Sequence, residues 1–234
     1  MIPVYVLKID RDIYHEDTHP YEHWVDVAKR KKIAGFKRKE DAWRCLLADL
    51  LIRYVMCRYF GFSLQYLSYD YNPFGKPSLA HQKQWHFNVA HSGDWVVAAV
   101  NSAPIGIDIE QMTAVDLDIA MHYFSKWEQQ QLFSLPLFMQ PSYFFELWTL
   151  KESFLKCEGS GLSTPLSSFS IIKPSGNEIA LYNDMHQLLP YSFSQPNVNA
   201  DYKMAICTPE TLAAIDVHSV ALPLLMDYFL QEKP

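Results

Sequence analysis

The sequence predicts a chain of the α+β class with two subdomains that meet near residue 104. Both halves contain segments with apolar residues at helical spacing, and both contain short alternating segments bounded by turn residues, which are typical of antiparallel strands. Pro104 follows Asn-Ser-Ala and interrupts the chain between the two halves. The predicted units are an N-terminal subdomain over 1–104, a C-terminal subdomain over 105–208 and a C-terminal extension over 209–234.

The N-terminal half is predicted to begin with a strand and to contain two helices and a hairpin. Residues 2–9 alternate as a strand, whereas 20–33 and 39–60 have helical periodicity. The second helix is predicted to end near Gly61, because glycine after a periodic segment is a usual stop signal. The segments that follow are a loop with short strands over 66–84 and two hairpin strands, 87–90 and 95–100, joined at Ser92-Gly93-Asp94.

The C-terminal half is predicted to begin with a strand at Ile105 and to carry two helices, over 125–133 and 142–157. Residues 168–208 are predicted to form strands, with turns at 174–177 and 196–197. The extension is long enough for one short helix.

Composition narrows the class of protein. The 234 residues are 49% hydrophobic and 20% charged, a composition typical of globular proteins. The four cysteines are scattered and form no CxxC pair, which excludes a disulfide framework or a zinc finger. No apolar run reaches the roughly 18 residues that span a bilayer, and the first residues lack the layout of a signal peptide. We therefore expect a cytoplasmic protein. A net charge of −6 argues against a general nucleic-acid coat.

Positive charge is nevertheless concentrated in one segment, 29–44. It could be a solvated helix face or a local site for a phosphorylated ligand, and composition does not choose between them. Its members are eight of the twenty Lys and Arg residues: Lys29, Arg30, Lys31, Lys32, Lys37, Arg38, Lys39 and Arg44.

Ile105–Glu110 alternates strictly, so Asp108 and Glu110 are predicted to lie on one face of a strand, about 7 Å apart along the backbone. Two carboxylates in this arrangement can converge on Mg²⁺, which proteins typically hold through one or two carboxylates, water and substrate phosphates. The alternative is an amphipathic strand whose acidic face is in water.

Two further glutamates lie on predicted helices. Glu128 follows Ser125 at the spacing of a capping box, so it is either a helix cap or a third metal ligand. Glu152 and Lys156 are four residues apart, the spacing of a surface ion pair. Beside Trp148 and Leu155, however, Glu152 would be partly desolvated, and desolvation raises a carboxylate pKa toward that of a useful base.

His91 and Ser92 lie at a predicted strand-to-turn junction, and Lys76 precedes them in Gly75-Lys76-Pro77. A histidine at a turn is usually structural, and no G-x-S-x-G motif supports a hydrolase. The three side chains could instead donate hydrogen bonds to phosphate oxygens.

Together these motifs resemble the 4′-phosphopantetheinyl transferases of the Sfp type, which activate the carrier proteins of peptide synthetases. The resemblance extends over about residues 1–208. The matching segments are KRKEDAWR (37–44), GKP (75–77), FNVAHSG (87–93), IGIDIE (105–110), FSK (124–126) and WTLKESFLK (148–156), with Gly159 and Gly161.

The resemblance implies two similar subdomains arranged as a pseudo-dimer, with the active site at their interface. It implies that coenzyme A donates its phosphopantetheine arm to a serine of an apo carrier protein, peptidyl carriers foremost, with release of adenosine 3′,5′-bisphosphate. Such a phosphoryl transfer depends mainly on positioning and charge neutralisation. The implied partners are coenzyme A and apo carrier proteins, without nucleic acid or membrane, and the implied state is a monomer.

By motif, Asp108 and Glu110 are expected to hold Mg²⁺, with Glu128 as a third ligand. Glu152 is the expected general base, and Lys156, assisted by Lys151, should neutralise phosphate charge. The expected coenzyme contacts are Lys29, Lys32, Arg44, Lys76, His91, Ser92, Lys151 and Lys156.

Two positions depart from the family pattern. Ala90 stands where serine usually precedes the histidine, and the missing hydrogen bond is worth about 0.5–1.5 kcal/mol, a few-fold to tenfold in coenzyme affinity. Cys45 stands where threonine is usual. The alternative function is a catalytically silent carrier-binding module of the same fold. The carrier is expected to dock on 112–138, with Phe124 and Leu132 as exposed apolar candidates.

Overall fold

A computed structural model describes residues 1–173, 178–212 and 214–232, so the predicted turn at 174–177 lies outside the described residues. The helices are α1 (His19–Glu22), α2 (Val27–Ala34), α3 (Lys39–Phe60), α4 (Ala120–Tyr123), α5 (Lys126–Ser134), α6 (Gln140–Glu158) and α7 (Leu222–Gln231). The strands are β1 (Ile2–Lys8), β2 (Tyr69–Tyr71), β3 (Pro77–Leu79), β4 (His86–Ser92), β5 (Trp95–Asn101), β6 (Gly106–Gln111), β7 (Phe169–Ile172), β8 (Ala180–Asn183), β9 (Leu188–Leu189), β10 (Ser192–Ser194), β11 (Tyr202–Thr208) and β12 (Ile215–Val220). Short 3₁₀ turns connect several of them.

The first sheet has the strand order β12-β1-β5-β4 and is covered on one face by α3. Alternate residues of β1 show how its two faces are used. Tyr5 and Leu7 join the core around α3, whereas Val4 and Val6 join a second core with residues of β6. The sheet is therefore buried on both faces.

The second sheet, β10-β11-β6, packs on the free face of the first through Ile105, Ile107 and Ile109. The opposite face of β6 and β11 is covered by α6, whose apolar residues form a third core. The order of layers is thus α3, first sheet, second sheet, α6. The mixed helix and antiparallel-strand composition predicted for both halves is confirmed.

Most predicted elements are found close to their expected bounds, but the helix predicted over 20–33 is interrupted. It forms α1 and α2, because the Asp26 carboxylate accepts a hydrogen bond from the Lys29 amide (2.7 Å) and begins a new helix there. The helix predicted over 39–60 is α3, and it ends at Gly61 in the left-handed conformation (φ 73°).

The C-terminal segment contains the predicted short helix, α7, and also β12, which was not predicted. β12 pairs in parallel with β1. The helix packs on α3 and α1, and the Trp24 indole donates a hydrogen bond to the Phe229 carbonyl oxygen (3.1 Å). Residues 215–231 therefore complete the sheet and core to which the first strand belongs.

Within the described part of the chain, no helix combines the length and the apolar character needed to cross a membrane.

Candidate active site

A cavity of about 400 Å³ opens where β4, β6, α3 and α6 meet. Asp108, Glu110, Glu152 and Lys156 line it, together with Lys29, Lys32, Cys45, Ala90, His91 and Trp148. A second cavity of similar volume adjoins it and is lined by the Phe74–Pro77 loop, Asn88 and Gly159. Lys32, Glu152 and Lys156 line both cavities, so the two form one continuous cleft.

Close packing of α6 on β6 brings the catalytic candidates together. A Cβ atom added to Gly106 would overlap the Ser153 carbonyl oxygen and the Cys157 amide, both in the backbone of α6. Glycine has no side chain to prevent this approach. The strand that carries Asp108 can therefore lie directly beneath the helix that carries Lys156.

Asp108 is buried and only partly satisfied. Its Oδ1 accepts a hydrogen bond from Lys156 Nζ (2.6 Å), whereas its buried Oδ2 has no hydrogen-bond partner among the described residues. Burial raises the pKa of Asp108 above its usual range despite this ion pair. Burial alone would lower the pKa of Lys156, but the neighbouring Asp108 carboxylate raises it, so the ammonium stays protonated.

Glu110 lies two residues further along β6 on the same face. It accepts a hydrogen bond from Ser92 Oγ (2.7 Å), and Ser92 Oγ in turn accepts one from the Gln111 amide (3.1 Å). Burial and the negative charge of Asp108 raise the pKa of Glu110 to about 7. Ser92, predicted as a coenzyme contact, therefore orients this carboxylate.

These two carboxylates fit a magnesium ion. The unpartnered Asp108 oxygen is a buried acceptor that a cation would satisfy, and Mg²⁺ commonly takes one or two protein carboxylates and fills the rest of its octahedron with water and substrate phosphates. Among the described residues, no group of three or more His, Cys, Asp or Glu side chains is arranged to hold a metal ion.

Glu152 faces the same cleft from α6. Its side chain forms no hydrogen bond with another described residue, and it is half-buried. Burial and the charge of Asp108 raise its pKa above the ordinary glutamate value. A carboxylate that is unengaged, partly desolvated and next to Asp108 and Glu110 has the properties of a general base.

Glu128 lies outside this cleft, contrary to the expectation that it is a third ligand. It is fully buried and forms the capping box with Ser125. Its remaining acceptor capacity is used by the Lys151 ammonium (2.7 Å) and the Ile171 amide (2.7 Å). Glu128 and Lys151 therefore form a buried ion pair between α5 and α6. Lys151 does not face the cleft as expected for a phosphate contact.

Of the eight basic residues in the segment 29–44, only Lys29 and Lys32 line the cleft. Lys32 lines both cavities, and Lys29 lines one while also approaching Asp49 (3.7 Å). Arg44 is close by, but it is engaged with Asp41 (2.5 Å) and the Gly93 carbonyl oxygen (3.2 Å). Cations on one side of the cleft and carboxylates on the other would suit a ligand with separated phosphate groups.

Lys76 lies at the edge of the cleft, but its ammonium is turned toward protein. It donates hydrogen bonds to the carbonyl oxygens of Cys157 (2.8 Å) and Ile105 (3.3 Å). The expected contact between its ammonium and the coenzyme is therefore not supported by the geometry.

Sequence reasoning missed two residues that build the site, Gly106 and Asn88. Asn88 Oδ1 on β4 accepts a hydrogen bond from the Ile107 amide on β6 (2.9 Å), which joins the two sheets beside the cleft. The available signals were an asparagine within an apolar strand and a glycine within an alternating one.

Two models of known families match adjacent parts of the chain. Residues 16–103 match the N-terminal domain of 4′-phosphopantetheinyl transferases, and residues 104–207 match the 4′-phosphopantetheinyl transferase superfamily. The chain belongs to this superfamily and is an enzyme of that class.

Similarity to individual relatives places it among the Sfp-type members, as the motifs indicated. It is 38% identical to 4′-phosphopantetheinyl transferase Sfp of Bacillus subtilis (strain 168), over 87% of this chain and 91% of that protein. It is 36% identical to the transferase ffp of Bacillus subtilis, over 93% and 99% of the two chains. It is 32% identical to the transferase gsp of Aneurinibacillus migulanus, over 89% and 86%.

Proposed function

We propose that this enzyme is magnesium-dependent and transfers the phosphopantetheine arm of coenzyme A to a serine of an apo peptidyl carrier protein. The observation that carries the proposal is the convergence of Asp108 and Glu110 on β6 with Glu152 and Lys156 on α6 in one cleft. We also propose that the two subdomains are 1–104 and 105–208, and the two family models meet between residues 103 and 104.

The distribution of charge along the cleft supports one orientation of bound coenzyme A. The 3′-phosphate would lie near Lys29, Lys32 and His91, and the pyrophosphate near Lys156 and the β6 carboxylates. The nucleotide would occupy the adjoining cavity beside Phe74 and Pro77. This arrangement gives the basic residues of α2 a function within an acidic protein.

In the proposed reaction the carrier serine oxygen forms a bond to the phosphorus that bears the pantetheine arm, and the bond from that phosphorus to the bridging oxygen of the nucleotide breaks. Glu152 accepts the serine proton, and adenosine 3′,5′-bisphosphate departs with the bridging oxygen. Lys156 neutralises negative charge on the phosphate oxygens, held in place by Asp108. Bound magnesium would neutralise further charge on the pyrophosphate, held by Asp108 and Glu110.

Ala90 and Cys45 both line the cleft, so the departures from the family pattern lie within the proposed coenzyme site. Ala90 supplies no hydroxyl donor there, and burial raises the pKa of the Cys45 thiol. Neither position belongs to the proposed metal or base, and we infer an active enzyme.

Intact-mass analysis of an apo peptidyl carrier protein tests the proposal. After incubation with the enzyme, coenzyme A and Mg²⁺, the carrier is expected to gain the mass of one phosphopantetheine, and EDTA is expected to abolish the gain. No gain on peptidyl, acyl or polyketide carriers, from folded enzyme that binds coenzyme A, would support the silent carrier-binding module instead. A gain that persists in EDTA would contradict the metal dependence.

The expectation that Phe124 and Leu132 are exposed and available to bind the carrier is wrong. Phe124 and Leu132 are buried in the core of the C-terminal half. The exposed apolar residues of this region are Ile119, Met121, Tyr123, Phe133, Leu137 and Phe138. The Tyr123 ring contacts Trp148 (5.7 Å between centroids), and Trp148 lines the catalytic cavity. We therefore propose that the carrier protein docks on these exposed residues.

Phe138→Ser tests this surface, because Phe138 is 83% exposed and its loss should not disturb the core. The KM for the carrier is expected to rise about tenfold, since apolar anchors at interfaces are worth more than about 1 kcal/mol, and the KM for coenzyme A to stay unchanged. Tyr66→Ser is the matched control, because Tyr66 is similarly exposed (79%) but lies in the N-terminal half. Equal carrier KM values for the two variants would place docking elsewhere.

We also propose that the enzyme acts as a monomer in the cytoplasm, without nucleic acid or membrane. Both halves of one chain line the cleft, so a second copy is not needed to complete it. The four cysteines are free thiols, which suits a reducing compartment.

A further inference from the structure

The loop between β2 and β3 is held in a fixed shape by Asn72. Its side-chain oxygen accepts hydrogen bonds from the backbone amides of Phe74 (2.9 Å) and Lys76 (2.8 Å), and its backbone amide donates to the Lys76 carbonyl oxygen (3.1 Å). Gly75 supplies the left-handed conformation (φ 84°) that this tight turn needs. The orientation of Lys76 is therefore set within the loop.

This loop contacts the end of α6 at two points. Lys76 Nζ donates to the Cys157 carbonyl oxygen (2.8 Å), and Asn72 Nδ2 donates to the Gly159 carbonyl oxygen (2.7 Å). Carbonyls at a helix C-terminus lack intrahelical partners and carry the negative end of the helix dipole, so an ammonium group stabilises this end. Gly159 is part of the same contact, because a Cβ there would crowd the Lys76 side chain.

The same ammonium also contacts the start of β6, through the Ile105 carbonyl oxygen (3.3 Å). Ile105 precedes the strand that carries Asp108, and Cys157 directly follows Lys156 on the helix. Lys76 thus links two backbones. One is that of β6, which carries the proposed metal ligands, and the other is that of α6, which carries the proposed base. Two of its three N–H groups are used by these carbonyls.

We propose that Lys76 is a positioning residue that holds α6 against β6, and that it does not bind coenzyme phosphate through its ammonium. The inference rests on the proposed function for its catalytic consequence, but the contact itself is independent of it. Small displacements matter here, because misplacing reacting groups by about 1 Å can cost on the order of 100-fold in rate.

The Lys76→Met variant distinguishes the two roles by steady-state kinetics. A positioning role predicts a kcat lowered about 10- to 100-fold with the KM for coenzyme A within about twofold of wild type. A direct phosphate contact predicts a coenzyme KM raised about tenfold or more with kcat at saturation little changed, and that result would overturn the proposal. So would wild-type values of both constants.

Three further variants sharpen the comparison. Asn72→Ala removes the second contact to α6 without changing a side chain that lines the cleft, and it should also lower kcat, by less. If Lys76→Met does not fold, Asn72→Ala provides the test of the positioning role in its place. Lys76→Arg keeps donors for both carbonyls and should recover part of the lost kcat. Lys83→Met, which removes an exposed lysine paired with Asp70, is the matched control and should behave as wild type.

Hydrogen exchange separates failure of this proposal from failure of the proposed function. In Lys76→Met, amides at the end of α6, including that of Gly159, which donates to the Leu155 carbonyl oxygen, should exchange faster than in Lys83→Met. Unchanged exchange would reject the positioning role whatever the activity. Faster exchange in a protein that modifies no carrier would reject only the proposed substrate.

Discussion

Asp108→Ala is expected to reduce carrier modification at saturating Mg²⁺ by about 100- to 1000-fold while the protein stays folded. The substitution removes the unpartnered carboxylate oxygen and leaves Glu110 as the sole proposed protein ligand, and loss of one electrostatic contact to a transition state costs about 100- to 1000-fold. The measurement is the initial rate of phosphopantetheine incorporation as a function of Mg²⁺ concentration.

The fold should survive because the removed charge is itself unfavourable in the folded protein. Burial raises the pKa of Asp108, so the ionised carboxylate contributes no net stability above that pKa. Lys156 loses its partner, but its side chain is 30% exposed and can be hydrated. Asp227→Ala is the control, because Asp227 is an exposed residue of α7 that does not line the cleft. A rate near that of wild type in Asp108→Ala would refute the metal assignment.

Glu152→Gln should depress kcat by about 100- to 10,000-fold and leave the KM for coenzyme A within about twofold, since the amide keeps the shape of the side chain and cannot accept the serine proton. Glu158→Gln, on the same helix but exposed, is the matched control. An equal loss in kcat and in coenzyme binding would remove the base assignment.

The same residue predicts a pH dependence. A base must be deprotonated to act, and burial raises the pKa of Glu152 above its ordinary value of 4.5. The kcat of the wild-type enzyme is therefore expected to fall as the pH drops through a pKa higher than that of a free glutamate. At saturating Mg²⁺, which keeps the Asp108 and Glu110 carboxylates deprotonated, this acid limb should be absent from the residual activity of Glu152→Gln. A pH–rate profile at saturating substrates and Mg²⁺ measures it.

The fold was predictable where local patterns agree with tertiary packing. The periodicity of 39–60 and the capping signal at Ser125 located α3 and α5, because the residues that make these segments helical also bury one face. The alternation of Ile105–Glu110 placed both carboxylates on the face opposite the isoleucines, and the structure has them there. β12 was missed because its pairing with β1 joins residues more than 200 positions apart.

The candidate site was predictable only in its residue types. Motifs identified Asp108, Glu110 and Glu152, but they could not separate cleft residues from buried partners. Glu128 and Lys151 satisfy each other inside the protein, and Lys76 uses its ammonium on backbone carbonyls. Each of these choices depends on which polar groups the fold leaves unpaired, which local sequence does not encode.

The parallel pairing of β1 with β12 bears on how the chain folds as it is synthesised. β1 emerges from the ribosome more than 200 residues before β12, so its outer edge is covered only after residues 215–220 have been made. Until then β1 has unpaired backbone groups, and the core beneath α3 lacks Leu225 and Phe229. The N-terminal half cannot reach its final form until residues 215–229 have been made, so products that stop before them would expose a sheet edge that favours aggregation.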